Sequence, residues 1–482
     1  MRGHKSFIVI LLLQALLLFS SLDLLAIWGD ELFTMETVAR PVNEIIPIAQ
    51  RDIHPPLYFV LLHGWSQLPL PWHGVAALRA FSGLWALAAS VILYLLWTRS
   101  AVALALFALS PCLLLYGRMA RSYSMQTALA LLTLGLLWKR RWIPAYIATM
   151  LLLYTHYVPG VAVLAAYVLV TRTRQSFFFS IAAVLGYLPW VLTLADALRR
   201  WGSASGFSAR YMISGNPISE QIVKSGFGTV SLTIGETFFA ASLILVPVML
   251  LLILRGLRGV SWGLIAIGVA AAAIGYLGVS RWVSYPFIPA RLLWLLPPIA
   301  MASARGLEGL RWRTTLLVLI GVSFASSDFL YFSQERFLNK SYAAPHREVA
   351  AKVNAGAGPG DLIVADAYNT DPQAFGYYLN GKAPYIPLDE EGVAKARSRL
   401  AAAKTVWIYS NTRDTSPGGA TSAIRTEACA ARPAGFDLFL SPYTSWERLA
   451  MQAMGVRPPL AYAYEIRKCA ADPTTGPPRG IQ

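Results

Sequence analysis

Long uncharged stretches alternate with short charged segments along the first two thirds of the chain. Apolar stretches of the length that a membrane span needs, about 20 residues, begin near Phe7, Ala80, Ser100, Ser122, Gln175, Thr237 and Gly259. Shorter stretches follow at 292–304 and 314–332. Residues 142–171 are longer than one span and carry His156 and Pro159 near their middle, which favours a helical hairpin over one tilted helix. The pattern therefore predicts an α-helical polytopic membrane protein with about eleven transmembrane helices.

The basic residues suggest an orientation for these spans. Arg2 and Lys5 precede the first span, which favours a cytoplasmic N-terminus. An odd number of spans then places residues 340–482 outside. A cleaved signal peptide is the alternative for the first segment, but no small-x-small cleavage site follows it. We therefore expect a multi-pass protein of a bacterial-type inner (plasma) membrane, surrounded by membrane lipids, with its active site and C-terminal domain on the periplasmic or extracellular side.

The C-terminal residues have a different pattern. Segments 360–366 and 405–409 have the short β-branched and aromatic composition of buried strands, and 346–354 and 391–403 have helical composition. We expect a membrane domain over 1–339 and a small extracytoplasmic α/β domain over 340–482, ending in a disordered Pro/Gly-rich tail. Cys429 and Cys469 both lie in this second domain, where an oxidising compartment would permit a disulfide; the sequence leaves their pairing open.

Composition supports the membrane assignment. Charged residues make up 14% of the chain and hydrophobic residues 56%, with a mean hydropathy of +0.50, whereas soluble domains carry roughly 25% charged residues. An ordinary soluble enzyme and a disordered chain are both excluded. The net charge is +16, but the C-terminal domain has nearly balanced charges. Most of the excess therefore lies in the membrane domain, and we expect no nucleic-acid partner.

Acidic residues are scarce in the membrane domain and concentrate in its first outer loop, about residues 28–73. Asp30 and Glu31 follow the first span directly, and Asp52, His54 and Tyr58 flank a pair of prolines. Ionisable groups at a membrane face are functional candidates; the alternative is a solvated loop. A carboxylate here could deprotonate an acceptor hydroxyl or hold a divalent cation, and the sequence leaves a metal site undecided.

Two outer segments combine cationic and aromatic side chains. Residues 116–123 contain Arg118, Arg121 and Tyr123, and residues 280–291 contain Arg281 and Arg291. Guanidinium groups bind phosphate bidentately, but Arg and Tyr also anchor helices at headgroup depth. Both interpretations remain open for the first segment, and anchoring is favoured for the second. No Gly-rich phosphate loop is present, so a soluble nucleotide-dependent mechanism has no support.

These segments together resemble the GT-C glycosyltransferases. The resemblance rests on Asp30-Glu31 after the first span, the run from Asp52 to Phe59, and Leu78-Arg79 entering the second span. Ser110-Pro111 with residues 116–123, and residues 154–157 including His156, match the next parts of the pattern. The branch most similar is glycosyltransferase family 39, of the protein O-mannosyltransferase and aminoarabinose transferase type. The resemblance covers about residues 5–200, and His54 stands where this family often has Glu or Lys.

The resemblance implies transfer of a hexosyl or pentosyl group from a polyprenyl-phosphate donor to a hydroxyl of a protein, glycolipid or glycan. Asp30 would be the general base, supported by Glu31, and the reaction would invert the anomeric centre. Asp52, His54, Tyr58 and His156 would line the substrate cavity. The donor phosphate would be held by a set of cationic and phenolic residues: Arg118, Arg121, Tyr123, Arg281 and Arg291.

Two other classes of function are weighed against this one. A transporter or flippase of a lipid-linked saccharide would be expected to show internal repeats and charges deep in its spans, and the sequence shows no repeat. A membrane-anchored binding or assembly protein would work through its C-terminal domain, and the acidic first loop would then be incidental.

Overall fold

The computed structural model describes residues 2–52, 54–203, 217–258, 289–368, 370–411, 417–430, 434–453 and 461–470. The described chain is mostly helical, with one small C-terminal sheet. It divides into two compact units: Met1–Asp23 with Phe33–Ser333, and Leu24–Leu32 with Gln334–Gln482. We call these the membrane unit and the C-terminal unit. Residues 24–32, which the sequence places in the membrane domain at the junction of the first span and the first outer loop, thus pack with the C-terminal residues.

The helices of the first part of the chain lie in its apolar stretches and in the segment predicted as the first outer loop. They are α1 (Arg2–Phe19), α2 (Gly29–Val38), α3 (Val42–Arg51), α4 (Leu57–Ser66), α5 (Gly74–Ile92), α6 (Ala101–Ala108), α7 (Pro111–Gly117), α8 (Tyr123–Trp138), α9 (Trp142–Thr155), α10 (Tyr157–Thr171), α11 (Arg174–Ser203), α12 (Pro217–Ile234), α13 (Leu245–Gly256), α14 (Leu296–Gly306) and α15 (Arg313–Phe332). Short 3₁₀ segments, Ala240–Ile244 and Pro289–Leu295, precede α13 and α14.

Three of the described helices are long and apolar enough to cross a membrane: Gly74–Trp97, Arg174–Ala197 and Arg313–Phe332. Shorter apolar helices include Lys5–Phe19 and Tyr123–Trp138. The total of eleven spans stays a prediction, and the span expected from Gly259 lies outside the described residues.

The predicted hairpin over residues 142–171 is confirmed. Helix α9 ends at Thr155, His156 is extended (φ −164°, ψ 126°), and α10 begins at Tyr157. The His156 side chain caps the new helix, because its Nδ1 accepts a hydrogen bond from the Val158 N–H at 3.2 Å. The His156 imidazole therefore lies at the turn between two packed helices.

Apolar side chains cover much of the outside of the membrane unit. Leu16 on α1, Leu192 on α11 and Phe329 on α15 are each about two thirds exposed, as expected for surfaces that face lipid. Between helices, small residues permit close contact: a Cβ on Gly256 of α13 would lie 1.8 Å from the Ala302 carbonyl oxygen of α14. Close backbone approach of this kind is a main source of helix association in membranes, where burial from water supplies no driving force.

The C-terminal unit contains an α/β fold built on a five-stranded sheet. Its elements are α16 (His346–Gly356), β1 (Leu362–Asp366), α17 (Pro372–Tyr377), β2 (Tyr385–Leu388), α18 (Glu390–Leu400), β3 (Thr405–Asn411), α19 (Ala420–Cys429), β4 (Ala434–Pro442), α20 (Ser445–Ala453) and β5 (Ala461–Ala470). The strand order is β2-β1-β3-β5-β4, with β2, β1 and β3 parallel and β3, β5 and β4 antiparallel. The two predicted strands and the two predicted helices are confirmed as β1, β3, α16 and α18.

Burial explains why some strands were recognisable from sequence. All five residues of β1 are buried, which gives the continuous apolar run typical of a parallel strand with both faces covered. Strand β4 has exposed apolar side chains, including Phe436 and Leu440, and its sequence has no comparable run. Cys429 at the end of α19 and Cys469 on β5 form a disulfide, with their Cα atoms 5.2 Å apart, which settles a pairing that the sequence left open. The predicted tail at 472–482 lies outside the described residues.

Candidate active site

A chain of polar contacts in the membrane unit joins residues from three distant segments. Arg121 Nη1 donates to Thr34 Oγ1 at 3.1 Å, and its Nη2 lies 3.4 Å from His54 Nε2. His54 Nδ1 lies 2.8 Å from Asp52 Oδ2. A guanidinium can only donate, so Nε2 accepts and Nδ1 carries the proton that binds Asp52. Arg121 and His54 therefore form one hydrogen-bonded group with a carboxylate behind the imidazole.

The backbone of Arg121 is fixed from the other side. Its carbonyl oxygen accepts a hydrogen bond from Ser82 Oγ at 3.1 Å, and Ser82 Oγ lies 3.0 Å from Tyr58 Oη. Tyr58 and Arg121 are both buried, with 2% and 6% of their surfaces exposed. Hydrogen bonds thus fix both the side-chain rotamer and the backbone of Arg121, which preorganises its guanidinium.

His156 and Arg291 complete this cluster. The His156 ring lies edge-on to His54, with centroids 5.8 Å apart, and stacks on Tyr157 at 5.1 Å. Arg291, in the 3₁₀ segment before α14, lies within electrostatic range of His156 and Tyr157. Five of the sequence-predicted residues, Asp52, His54, Tyr58, Arg121 and His156, are therefore brought together, and Arg291 lies nearby.

Arg118 lies three residues before Arg121 and has different hydrogen-bond partners. Its Nη1 donates to the Leu17 carbonyl at 2.7 Å, and its Nη2 to the Ser21 carbonyl at 2.6 Å. Its guanidinium also lies about 5 Å from the ring centroids of Tyr331 and Phe332. The last carbonyls of a helix lack intrahelical partners and carry partial negative charge, so Arg118 caps the C-terminal end of α1. Its role as a donor-phosphate ligand stays a prediction.

Tyr123 lies at the start of α8 and borders a buried carboxylate that sequence reasoning missed. The Tyr123 ring packs edge-on against Tyr116, with centroids 6.2 Å apart. Tyr116 Oη donates to Glu236 Oε1, which also accepts from Ser231 Oγ at 2.9 Å. Glu236 is 1% exposed. The sequence signal that could have identified Glu236 was its position as a lone acid between two apolar stretches, because ionisable residues at membrane depth usually have a function.

The two predicted catalytic carboxylates lie in the first turn of α2, within the C-terminal unit. Glu31 is fully buried and Asp30 is half-buried. The N–H of Gly29, the first residue of this helix, donates to Asp371 Oδ2 at 2.5 Å. Burial raises the pKa of the Asp371 carboxyl above its usual range, and the nearby Asp30 carboxylate raises it further, while hydrogen bonds from Ala374 and Gly29 oppose the shift.

Asp371 was also missed from the sequence. Its signal was the Asp371-Pro372 pair, since Asp before Pro is typical of a helix N-terminus, but nothing in the sequence linked it to Gly29, which lies 342 residues away. Arg281 lies outside the described residues. Within the described ranges, no three His, Cys, Asp or Glu side chains lie close enough together to hold one metal ion.

Comparisons with known proteins identify the fold. No family model and no curated protein matches the chain. Among solved structures, ArnT from Cupriavidus metallidurans bound to undecaprenyl phosphate is similar, with a TM-score of 0.51 and 12% identity over 95% of this chain and 97% of that one. The apo state of the same protein gives a TM-score of 0.49 and 12% identity over 97% and 98%. The chain therefore shares its fold with a protein whose structure contains undecaprenyl phosphate.

Proposed function

We propose that this chain is an integral membrane glycosyltransferase that uses a polyprenyl-phosphate-linked sugar. The observation that carries the proposal is the buried Arg121–His54–Asp52 group in the membrane unit. It occurs in a fold shared with ArnT, a GT-C glycosyltransferase whose structure holds undecaprenyl phosphate. A hexosyl or pentosyl group would pass to a hydroxyl of a protein, glycolipid or glycan at the outer face of an inner membrane.

The donor phosphate is assigned to Arg121, with Arg291 and Tyr123 as further ligands. The fork of Arg121 is already oriented by Thr34 and His54, and a guanidinium can bind two phosphate oxygens at once. The leaving group is a lipid phosphate, so fixed positive charge beside it stabilises the negative charge that develops as the sugar departs. Arg121 thus acts mainly in the transition state.

Asp30 is assigned as general base and Glu31 as its support. The acceptor oxygen forms a bond to the anomeric carbon while the bond from that carbon to the phosphate oxygen breaks. The acceptor proton passes to Asp30, and polyprenyl phosphate leaves as an anion, so a single displacement inverts the anomeric centre.

The disulfide supports an outer location for the C-terminal unit. Cys429 and Cys469 are joined, and structural disulfides persist in oxidising compartments such as the periplasm or the cell exterior. This agrees with the orientation inferred from Arg2 and Lys5, and it supports the proposal that the Asp30 segment and its acceptor share that compartment.

The test is a transfer assay with a matched pair of variants. Purified protein in lipid nanodiscs is incubated with a panel of polyprenyl-phosphate sugars and acceptors, and release of polyprenyl phosphate is measured. Asp30→Asn should abolish release, whereas Glu36→Gln, which removes an exposed carboxylate from the same helix, should leave the rate unchanged. Full activity in Asp30→Asn would exclude the catalytic assignment. In sealed proteoliposomes, movement of lipid-linked sugar between leaflets without release of polyprenyl phosphate would instead establish the flippase alternative.

A further inference from the structure

The segment that precedes Asp30 is anchored at several points within the C-terminal unit. The Ile27 N–H donates to Tyr378 Oη at 2.8 Å. The Trp28 ring packs edge-on against Tyr342, with centroids 6.1 Å apart. These residues immediately precede α2, so their contacts determine where the first turn of α2 begins.

Asp371 makes the contact nearest to Asp30, and it uses both carboxylate oxygens. Its Oδ1 accepts a hydrogen bond from Ala374 N–H at 3.1 Å, which caps α17. Its Oδ2 accepts from Gly29 N–H at 2.5 Å. The first N–H groups of a helix have no intrahelical partner, and Trp28, which precedes Gly29, has no side-chain oxygen to cap them. Asp371 therefore supplies the anionic cap of α2 from a distant part of the chain.

The absence of a side chain at Gly29 leaves space for this contact. A Cβ at position 29 would lie 3.1 Å from Asp371 Oδ2 and 3.4 Å from Oδ1, which is closer than a methyl group and a carboxylate oxygen normally approach. Glycine thus leaves room for the carboxylate against the backbone one residue before Asp30.

We propose that Asp371 is a positioning residue that sets the geometry of Asp30 by capping the first turn of α2. This inference rests on the proposed function, because it takes Asp30 as the general base. It makes the C-terminal unit part of the catalytic apparatus and not an accessory. Deleting residues 340–482 should then abolish transfer, because it removes Asp371 together with the rest of the C-terminal unit.

Serine substitutions at Asp371 and Asp389 distinguish the contact of Asp371 with Gly29 from ordinary helix capping. Ser is a good N-cap residue, so Asp371→Ser keeps the bond to Ala374 but is too short to reach Gly29 as well. Asp389 is the matched control, since it caps α18 through Gly392 N–H at 2.7 Å in the same way. In the nanodisc assay, Asp371→Ser should lower kcat on the order of 10²-fold, the cost of displacing a catalytic group by about 1 Å. The KM for the donor should stay within about twofold, and Asp389→Ser should leave both unchanged.

Hydrogen exchange tests the contact without using activity. Backbone amides of residues 24–33 should lose protection in Asp371→Ser and keep it in Asp389→Ser. Gly29→Ala should reproduce the kcat loss, and the double variant should be no slower than Asp371→Ser alone, since both act through one contact. Normal kcat and protection in Asp371→Ser, or equal losses in Asp389→Ser, would overturn the inference. An active Asp30→Asn variant would remove Asp30 from the catalytic role, and absence of polyprenyl-phosphate release by the wild type would refute the proposed function instead, whatever exchange shows at Gly29.

Discussion

Lysine substitution at Arg121 and at Arg118 provides the sharpest test of the donor-phosphate assignment. Both arginines are buried and lie three residues apart, yet their partners differ. Arg121 contacts Thr34 and His54, whereas Arg118 contacts the carbonyls of Leu17 and Ser21. Lysine keeps the positive charge but cannot form a bidentate fork, so each variant loses about one charge-assisted hydrogen bond.

The magnitude follows from the lost bond. A hydrogen bond to a charged group is worth about 1.5–3 kcal/mol, and each 1.4 kcal/mol corresponds to about tenfold. For Arg121→Lys we expect kcat/KM for the polyprenyl-phosphate donor to fall roughly 10- to 100-fold. For Arg118→Lys we expect a similar free-energy loss to appear as reduced thermal stability, with kcat/KM within about twofold of wild type.

The assay is steady-state release of polyprenyl phosphate from nanodiscs, alongside thermal unfolding of the same preparations. Equal loss of kcat/KM in both variants would mean that Arg118 binds the donor as well. Unchanged kinetics in Arg121→Lys would refute the phosphate role of Arg121 and favour an anchoring role for residues 116–123.

Three further predictions concern stability, measured on the full chain in detergent. Cys429→Ser should destabilise the C-terminal unit by about 4 kcal/mol, from the entropy of closing a loop of about 40 residues; a denaturant-monitored loss below about 1 kcal/mol would contradict this. Burial lowers the pKa of His346 to about 4, so the unfolded chain binds the extra proton between about pH 4 and 6.5, and stability should decrease on acidification through that window. Hydrogen exchange of β1 and β3 should show this pH dependence, and its persistence in His346→Phe would exclude His346 as the cause. Glu236→Ala should lower the melting temperature by leaving the Tyr116 and Ser231 hydroxyls without their acceptor, while Glu236→Gln, which keeps an acceptor oxygen, should melt near wild type; equal losses would refute the hydrogen-bonding account.

Local patterns were sufficient for much of the fold. The helix break at His156 followed from an apolar stretch too long for one span with Pro159-Gly160 inside it, and β1 from its continuous buried run. Strands β2, β4 and β5 were not predicted, because a strand at or near a sheet edge gains its conformation from its neighbours as much as from its own side chains.

The candidate site, too, was predictable from the sequence only in part. The sequence selected Asp52, His54 and Arg121 as candidate site residues, because ionisable groups next to apolar stretches are few, and the structure brings the three together. It could not distinguish Arg118 from Arg121, since both lie in one eight-residue segment and only tertiary packing brings one to helix carbonyls and the other to an imidazole.

The sequence by itself determined a mostly helical chain, with helices long and apolar enough to cross a membrane and a C-terminal α/β fold, because hydrophobic length and period are local properties. Only the tertiary structure decided that residues 24–32 pack with the C-terminal residues and that Asp371 caps the helix carrying Asp30. Such contacts join residues hundreds of positions apart, and they depend on unsatisfied backbone groups that become visible only once the helix ends are placed.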